Sequence, residues 1–170
     1  SQSEIGWNID DVELWGDAPD NAPPTASLTI ADLTTGKLSG HTCSVTYPDS
    51  TAVRLASLDS TDLAVTGPNG YSNLVEFLAA DLPSDGSPIT GTYSIAGPGG
   101  TWDSADNGTY TLTLLKAAVQ DVLNNSTPQT VLGTFSVSIS SPTPGILEVA
   151  PAGDYSASGT VGGAFDPTSF

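Results

Sequence analysis

The sequence predicts an all-β fold, an antiparallel sandwich, and three observations carry that expectation. The first is strict alternation from Gly108 to Leu114. It puts Tyr110, Leu112 and Leu114 on one face and Thr109, Thr111 and Thr113 on the other, the period of a half-buried strand. The second is Asp106-x-Gly108-x-Tyr110 at the entrance to that strand. This is the pattern of a tyrosine corner, in which a Tyr hydroxyl ties down the preceding loop of a Greek-key sandwich. The third is the recurrence of about eight short strand-like segments between turn signals, the spacing of sandwich architecture.

Composition agrees. An apolar fraction of 38% with 7% aromatic residues supports a packed core, and Thr, Ser, Gly and Pro suit short strands joined by turns. Nineteen acidic residues against three basic ones give a formal charge of −16. Nucleic acid and anionic membrane surfaces both need clustered Lys and Arg, so neither is a partner. The acidity favours solubility, cation binding or a high-salt setting where self-repulsion is screened. No apolar run approaches the roughly 20 residues that cross a bilayer, and no segment reads as a signal peptide, so a targeting segment would lie outside these residues. Cys43 is the single cysteine, which excludes an intrachain disulfide; alternating with Val45 and Tyr47, it reads as a small buried hydrophobe.

In chain order, residues 1–16 hold an orphan strand in which Trp7 and Ile9 alternate, then Val12 and Leu14, with Asp10-Asp11 breaking the period as a bulge would. Residues 17–25 form a proline-rich linker, extended and stiff. Residues 26–141 form one sandwich domain. Its strands are expected at Ser27–Ile30, Thr42–Tyr47, Ala52–Leu55, Asp62–Thr66, Tyr71–Ala80, Thr90–Ala96, Thr109–Leu114 and Leu132–Ile139. Gly67-Pro68-Asn69-Gly70 is a tight turn, and Lys116–Leu123 is a candidate helical turn. Residues 142–170 open with a second Pro-rich linker and continue as a strand tail that begins a further domain without completing it.

Three stretches carry a family resemblance. Leu58-Asp59-x-x-Asp62-Leu63-x-Val65-Thr66-Gly67-Pro68-Asn69-Gly70 is followed by Gly99-Gly100-Thr101-Trp102-Asp103-x-x-Asp106-Asn107-Gly108-Thr109-Tyr110, and then by Leu132-Gly133-Thr134-Phe135. Together they resemble an immunoglobulin-like repeat of large bacterial secreted and surface proteins. That resemblance implies an immunoglobulin-like sandwich in an extracellular setting, and it brings no catalytic residues. The disulfide of antibody domains is missing: Leu112 stands where the second cysteine would fall. The stretch Gly6-Trp7-Asn8-Ile9-Asp10-Asp11-Val12 resembles the closing strand of a secreted jelly-roll domain, and the tail from Ile146 resembles the start of a BACON-type domain.

Candidate sites follow from residue type. His41 and Cys43 share a strand face, but no acid–base partner is placed beside them, and neither a nucleophile elbow nor a zinc-type cluster occurs. The chain therefore reads as a non-enzyme. Asp59, Asp62, Asp103 and Asp106 are the candidate calcium ligands, since loops rich in Asp and Asn can supply the oxygens calcium needs. The competing role for them is turn-making and loop capping. If calcium stiffens those loops, chelation lowers the melting temperature. Trp102 is either a sugar-stacking face or a ring packed under the sandwich rim. Asn107-Gly108-Thr109, Asn124-Asn125-Ser126 and Asn125-Ser126-Thr127 match the glycosylation acceptor pattern.

The expected function is that of a non-catalytic extracellular structural module. One form of it is a filament subunit assembled by strand exchange between copies. In that form Trp7, Ile9, Val12, Leu14, Trp15, Leu147, Val149 and Tyr155 make the contacts. The alternatives are a connector, an adhesive module or a carbohydrate-binding module, with neighbouring domains of a larger chain as the partners.

Overall fold

The computed structural model describes residues 19–141. The orphan strand of residues 1–16, the tail of residues 142–170 and all eight proposed self-association residues lie outside them. The described chain is built from two antiparallel sheets of four strands each. The strands are β1 (Ser27–Thr29), β2 (Gly40–Tyr47), β3 (Leu63–Thr66), β4 (Ser72–Leu74), β5 (Glu76–Ala80), β6 (Ile89–Ala96), β7 (Gly108–Leu114) and β8 (Thr130–Val137). One sheet runs β1-β2-β6-β5 and the other β4-β3-β7-β8. Taken in chain order, this is the arrangement of an immunoglobulin sandwich, with β4 as the added strand beside its third.

Alternation puts the core between the sheets. On β7, Tyr110, Leu112 and Leu114 point inward and are at most 2% exposed. They meet Val45, Val65, Tyr93, Phe135 and Val137 in one cluster, as their spacing predicts. Both sheets have one dry face and one wet face, which is why each strand reads as apolar in and polar out. The tyrosine corner is present: the Tyr110 hydroxyl, in a side chain 1% exposed, donates to the Asp106 carbonyl at 2.9 Å. Gly67 backs the same ring, and a Cβ there would collide with the Tyr110 ring carbons. Replacing Tyr110 by Phe is expected to cost about 1 kcal/mol, read as a lower denaturation midpoint at unchanged slope. An unmoved midpoint would show that the bond contributes nothing.

The structure departs from two expected strands and from the expected helical turn. Tyr71–Ala80 is not one strand. β4 pairs with β3 in one sheet and β5 with β6 in the other, and Val75 lies fully buried where the chain crosses between them. The apolar residues at 71, 74, 75, 77 and 78 hold no strict period of two, and the crossover is what breaks it. Ala52–Leu55 is also not a strand. Val53 makes isolated bridges to Gly86 and Asp121, and Leu55–Ser57 turns as a 3-10 helix. Lys116–Leu123 forms no helical turn, because Ala117 takes a positive φ of 59° and its N–H bonds across to the Thr127 carbonyl. Val119 is buried from that loop, so tertiary packing decides its shape.

Candidate functional site

The four predicted metal ligands serve different roles. Asp103 and Asp106 form a reciprocal cap on the 3-10 turn Ser104–Asp106. The Asp103 carboxylate accepts from the Ala105 N–H at 2.7 Å, and the Asp106 carboxylate accepts from the Asp103 N–H at 2.9 Å. That cap holds the loop leading into the tyrosine corner, a turn-making role of the kind short acidic side chains serve. Asp59 is likewise engaged, accepting from both the N–H and the hydroxyl of Thr61 at 2.6 Å. Those two bonds hold its carboxyl below the usual range.

Asp62 differs from the other three. It is 0% exposed at the mouth of β3. Its Oδ2 accepts from the Tyr93 hydroxyl at 2.8 Å and from the Asp59 N–H at 2.9 Å, while Oδ1 has no partner. Burial pushes its carboxyl up to about 7, against the lowering effect of those two bonds. The Tyr93 hydroxyl also meets that of Tyr47 at 3.0 Å, and burial raises both phenols well above their ordinary value.

Among the described residues, the carboxylates that converge are Asp20, Asp49 and Asp121, whose oxygens lie within 4.8 Å of one another. Three separate chain segments meet there: the proline-rich stretch, the loop after β2 and the loop after β7. Asp20 accepts from the Ser50 hydroxyl and from the Ala22 N–H, and these bonds hold its carboxyl below the usual range. Asp49 accepts from the N–H and hydroxyl of Thr51 at 2.8 Å. Buried Asp121 accepts from the N–H groups of Leu123 and Asn125 at 2.8 Å and from Asn125 Nδ2 at 2.7 Å. The same Nδ2 donates to the Asp20 carbonyl at 3.0 Å, so the cluster joins the entering chain to the sandwich. Its oxygens are of the hard type that calcium takes, and local donors already engage each carboxylate. The trio is not legible in the sequence, because its members lie far apart in the chain. The one local signal was Asp121 with Asn124-Asn125, a turn pattern.

The remaining candidates are placed as follows. Cys43 is 4% exposed, and burial pushes its thiol up to about 11, which leaves it protonated and weakly nucleophilic at neutral pH. His41 shares a 2.8 Å hydrogen bond with the Ala31 carbonyl through Nε2 and stands 5.0 Å from the Phe135 ring. Trp102 is fully buried and packs edge-on against Tyr110 at 5.0 Å and Phe135 at 6.1 Å, so it presents no face for a sugar. Of the acceptor-pattern asparagines, Asn107 is bonded in both directions to the Ile139 backbone and Asn125 is spent on the acidic trio. Asn124 is exposed, with its Oδ1 accepting from Arg54.

Fold and site together define a two-sheet β-sandwich whose polar clusters tie loops to the core. No helix among the described residues is long and apolar enough to cross a membrane. No protein-family model and no curated protein matches the chain.

Proposed function

We propose that the protein is a non-catalytic structural module, an in-line connector of an extracellular or cell-surface chain. The observation that carries this reading is the route of the backbone. The chain joins the sandwich beside the end of β2, where the Thr25 N–H donates to the Pro48 carbonyl at 3.1 Å and Ser27 pairs with Thr46. It leaves beside the start of β2. There a Cβ on Gly36 would touch the Ile139 side chain, and Asn107 grips the Ile139 backbone at 2.7 and 3.0 Å. The eight residues of β2 separate those points, about 23 Å at ~3.3 Å per residue. Tension through the flanking chain therefore runs along the strands, and the proline-rich entry of residues 19–25 favours an extended spacing.

A second reading, self-association by strand addition, is favoured by one edge. β1 and β4 have three residues each, and β5 carries Glu76 and a register shift between Phe77 and Ala79. β8 has eight residues with no charge and no proline, and Val131 on it is 63% exposed. Among the described residues its far end is the part that is covered, where Leu33 bridges Val137 and the Asp32 carboxylate accepts from the Ser136 N–H at 2.7 Å. Such an edge accepts an extended strand of another copy.

One experiment separates the two. The full chain, alone and as two copies in series, is studied by small-angle scattering and sedimentation, with Val131→Lys as the edge variant. In-line connection predicts a maximum dimension that nearly doubles in the tandem; a globular tandem would overturn it. Strand addition predicts oligomers of the single copy that Val131→Lys abolishes, and a monomer at every concentration removes that reading.

A further inference from the structure

Two Asn-Gly pairs occur in the chain, Asn69-Gly70 and Asn107-Gly108, and the fold holds them differently. At such a pair the asparagine amide is open to attack by the next backbone nitrogen, because glycine has no Cβ to block the approach. Asn69 and Gly70 are the central residues of the tight turn between β3 and β4. Both take a positive φ, 56° and 77°. With the 3.0 Å bond from the Tyr71 N–H to the Pro68 carbonyl, that makes a type I′ turn. Both residues are exposed, and a Cβ added at Gly70 would meet nothing within 4 Å. The turn is closed by that bond and by the Gly67 N–H donating to the Tyr71 carbonyl at 2.9 Å. Both run between backbone groups and leave the Asn69 side chain out.

Asn107 is held at both ends of its amide. Its Oδ1 accepts from the Ile139 N–H at 2.7 Å, and its Nδ2 donates to the Ile139 carbonyl at 3.0 Å. Gly108 opens β7 and pairs with Val137 of β8. A Cβ on Gly108 would lie 2.5 Å from Pro68 Cγ, so the turn itself covers that glycine. To bring Cγ of Asn107 onto the Gly108 nitrogen, both amide bonds must break and the entrance to β7 must open. At Asn69 only an exposed turn has to flex.

We propose that Asn69-Gly70 is a self-modification site, at which the folded chain converts an asparagine to isoaspartate with water as the co-reactant. The Gly70 amide gives its proton to a base in solution, and its nitrogen attacks Cγ of Asn69. The N–Cγ bond forms, the Cγ–Nδ2 bond breaks, and ammonia leaves with a proton taken from water. Water then opens the five-membered imide at one of its two carbonyls. Cleavage at Cγ leaves an aspartate at that position. Cleavage at the backbone carbonyl leaves an isoaspartate, through which the main chain runs by way of Cβ. Nothing is oxidised or reduced. The isoaspartyl product lengthens the turn by one methylene and adds a negative charge to a chain already at −16. That turn packs against the tyrosine corner, with Pro68 over Gly108 and Gly67 behind the Tyr110 ring. Modification therefore loosens the β3–β4 turn beside the corner.

The test ages the full-length chain in mildly alkaline buffer, folded and in denaturant, and maps the products by digestion and mass spectrometry. Isoaspartate is read by enzymatic methyl labelling. In the folded chain the peptide holding Asn69 is expected to gain isoaspartate about tenfold or more faster than the one holding Asn107, which must first break two hydrogen bonds. In denaturant the two rates are expected to converge, since each pair is then unrestrained. Equal rates in the folded chain, a faster Asn107, or an Asn69 that stays unmodified would overturn the proposal. Asn69→Gly suits the positive φ of the turn and is expected to abolish isoaspartate there while Asn107 ages as before. Isoaspartate persisting in that variant's turn peptide would also overturn it. Amide exchange on the aged wild type reads the consequence. Protection at the Gly67 and Tyr71 N–H groups is expected to fall in the modified fraction, and unchanged protection there would overturn the loosening.

Discussion

Trp102→Ala is expected to be the most damaging single substitution in the sandwich, at about 3–5 kcal/mol of stability. The ring is fully buried and is the largest of the fully buried side chains among the described residues. It stands edge-on to Tyr110 and Phe135, and Tyr71 closes the group at 6.4 Å. Such edge contacts add to the area buried. Removing the indole leaves a cavity that the neighbours cannot refill, since Phe135 and Tyr110 are themselves stacked at 5.2 Å. The backbone of Trp102 would still bond to Lys37 and Leu38 at 2.8 Å, so the loop stays attached while its anchor is lost. A thermal melt followed by near-ultraviolet circular dichroism is expected to drop by more than about 10 °C. A loss under about 1 kcal/mol would mean that the ring is not packed in the core.

Asp121→Ala is expected to cost about 2–4 kcal/mol, a large effect for a loop residue. Three donors lose their acceptor at once: the N–H groups of Leu123 and Asn125, and the side chain of Asn125. Asn124, between them, has a φ of 70°, a conformation that these bonds help to hold. Because Asn125 also donates to the Asp20 carbonyl, the substitution is expected to free the entering chain as well as the loop. Amide exchange is the measurement that separates the two effects: protection should fall at Leu123 and Asn125 and also at Ala22, whose N–H bonds Asp20. Unchanged protection at Ala22 would show that the trio does not bind the entering chain to the sandwich.

The core was legible where strands are long and half-buried. Buried residues alternate with more exposed ones from Ile89 to Ile95 on β6, Gly91 included, and from Tyr110 to Leu114 on β7. Tyr110 was legible because a tyrosine corner is a local contact: hydroxyl and carbonyl acceptor stand four residues apart. The capping role of Asp103 and Asp106 was readable for the same reason, since its partners are within three residues. The burial of Asp62 against Tyr93 was half legible. Its spacing from Asp59 pointed to a turn, but nothing in the sequence near it names Tyr93, 31 positions away.

Side-chain alternation, the turns and the tyrosine corner follow from the order of residues alone, and with them an all-β sandwich. Each of these depends on residues close in the chain, where stereochemistry and the period of two act directly. Tertiary structure decided that Tyr71–Ala80 divides between two sheets at Val75, that Asp20, Asp49 and Asp121 converge, and that Asp62 is sealed against two tyrosines. Those outcomes depend on which distant segments pack together, and burial is a property of the folded whole. A carboxylate on a solvated turn and one enclosed between sheets are written with the same letter, and only the packing around Asp62 seals it from water.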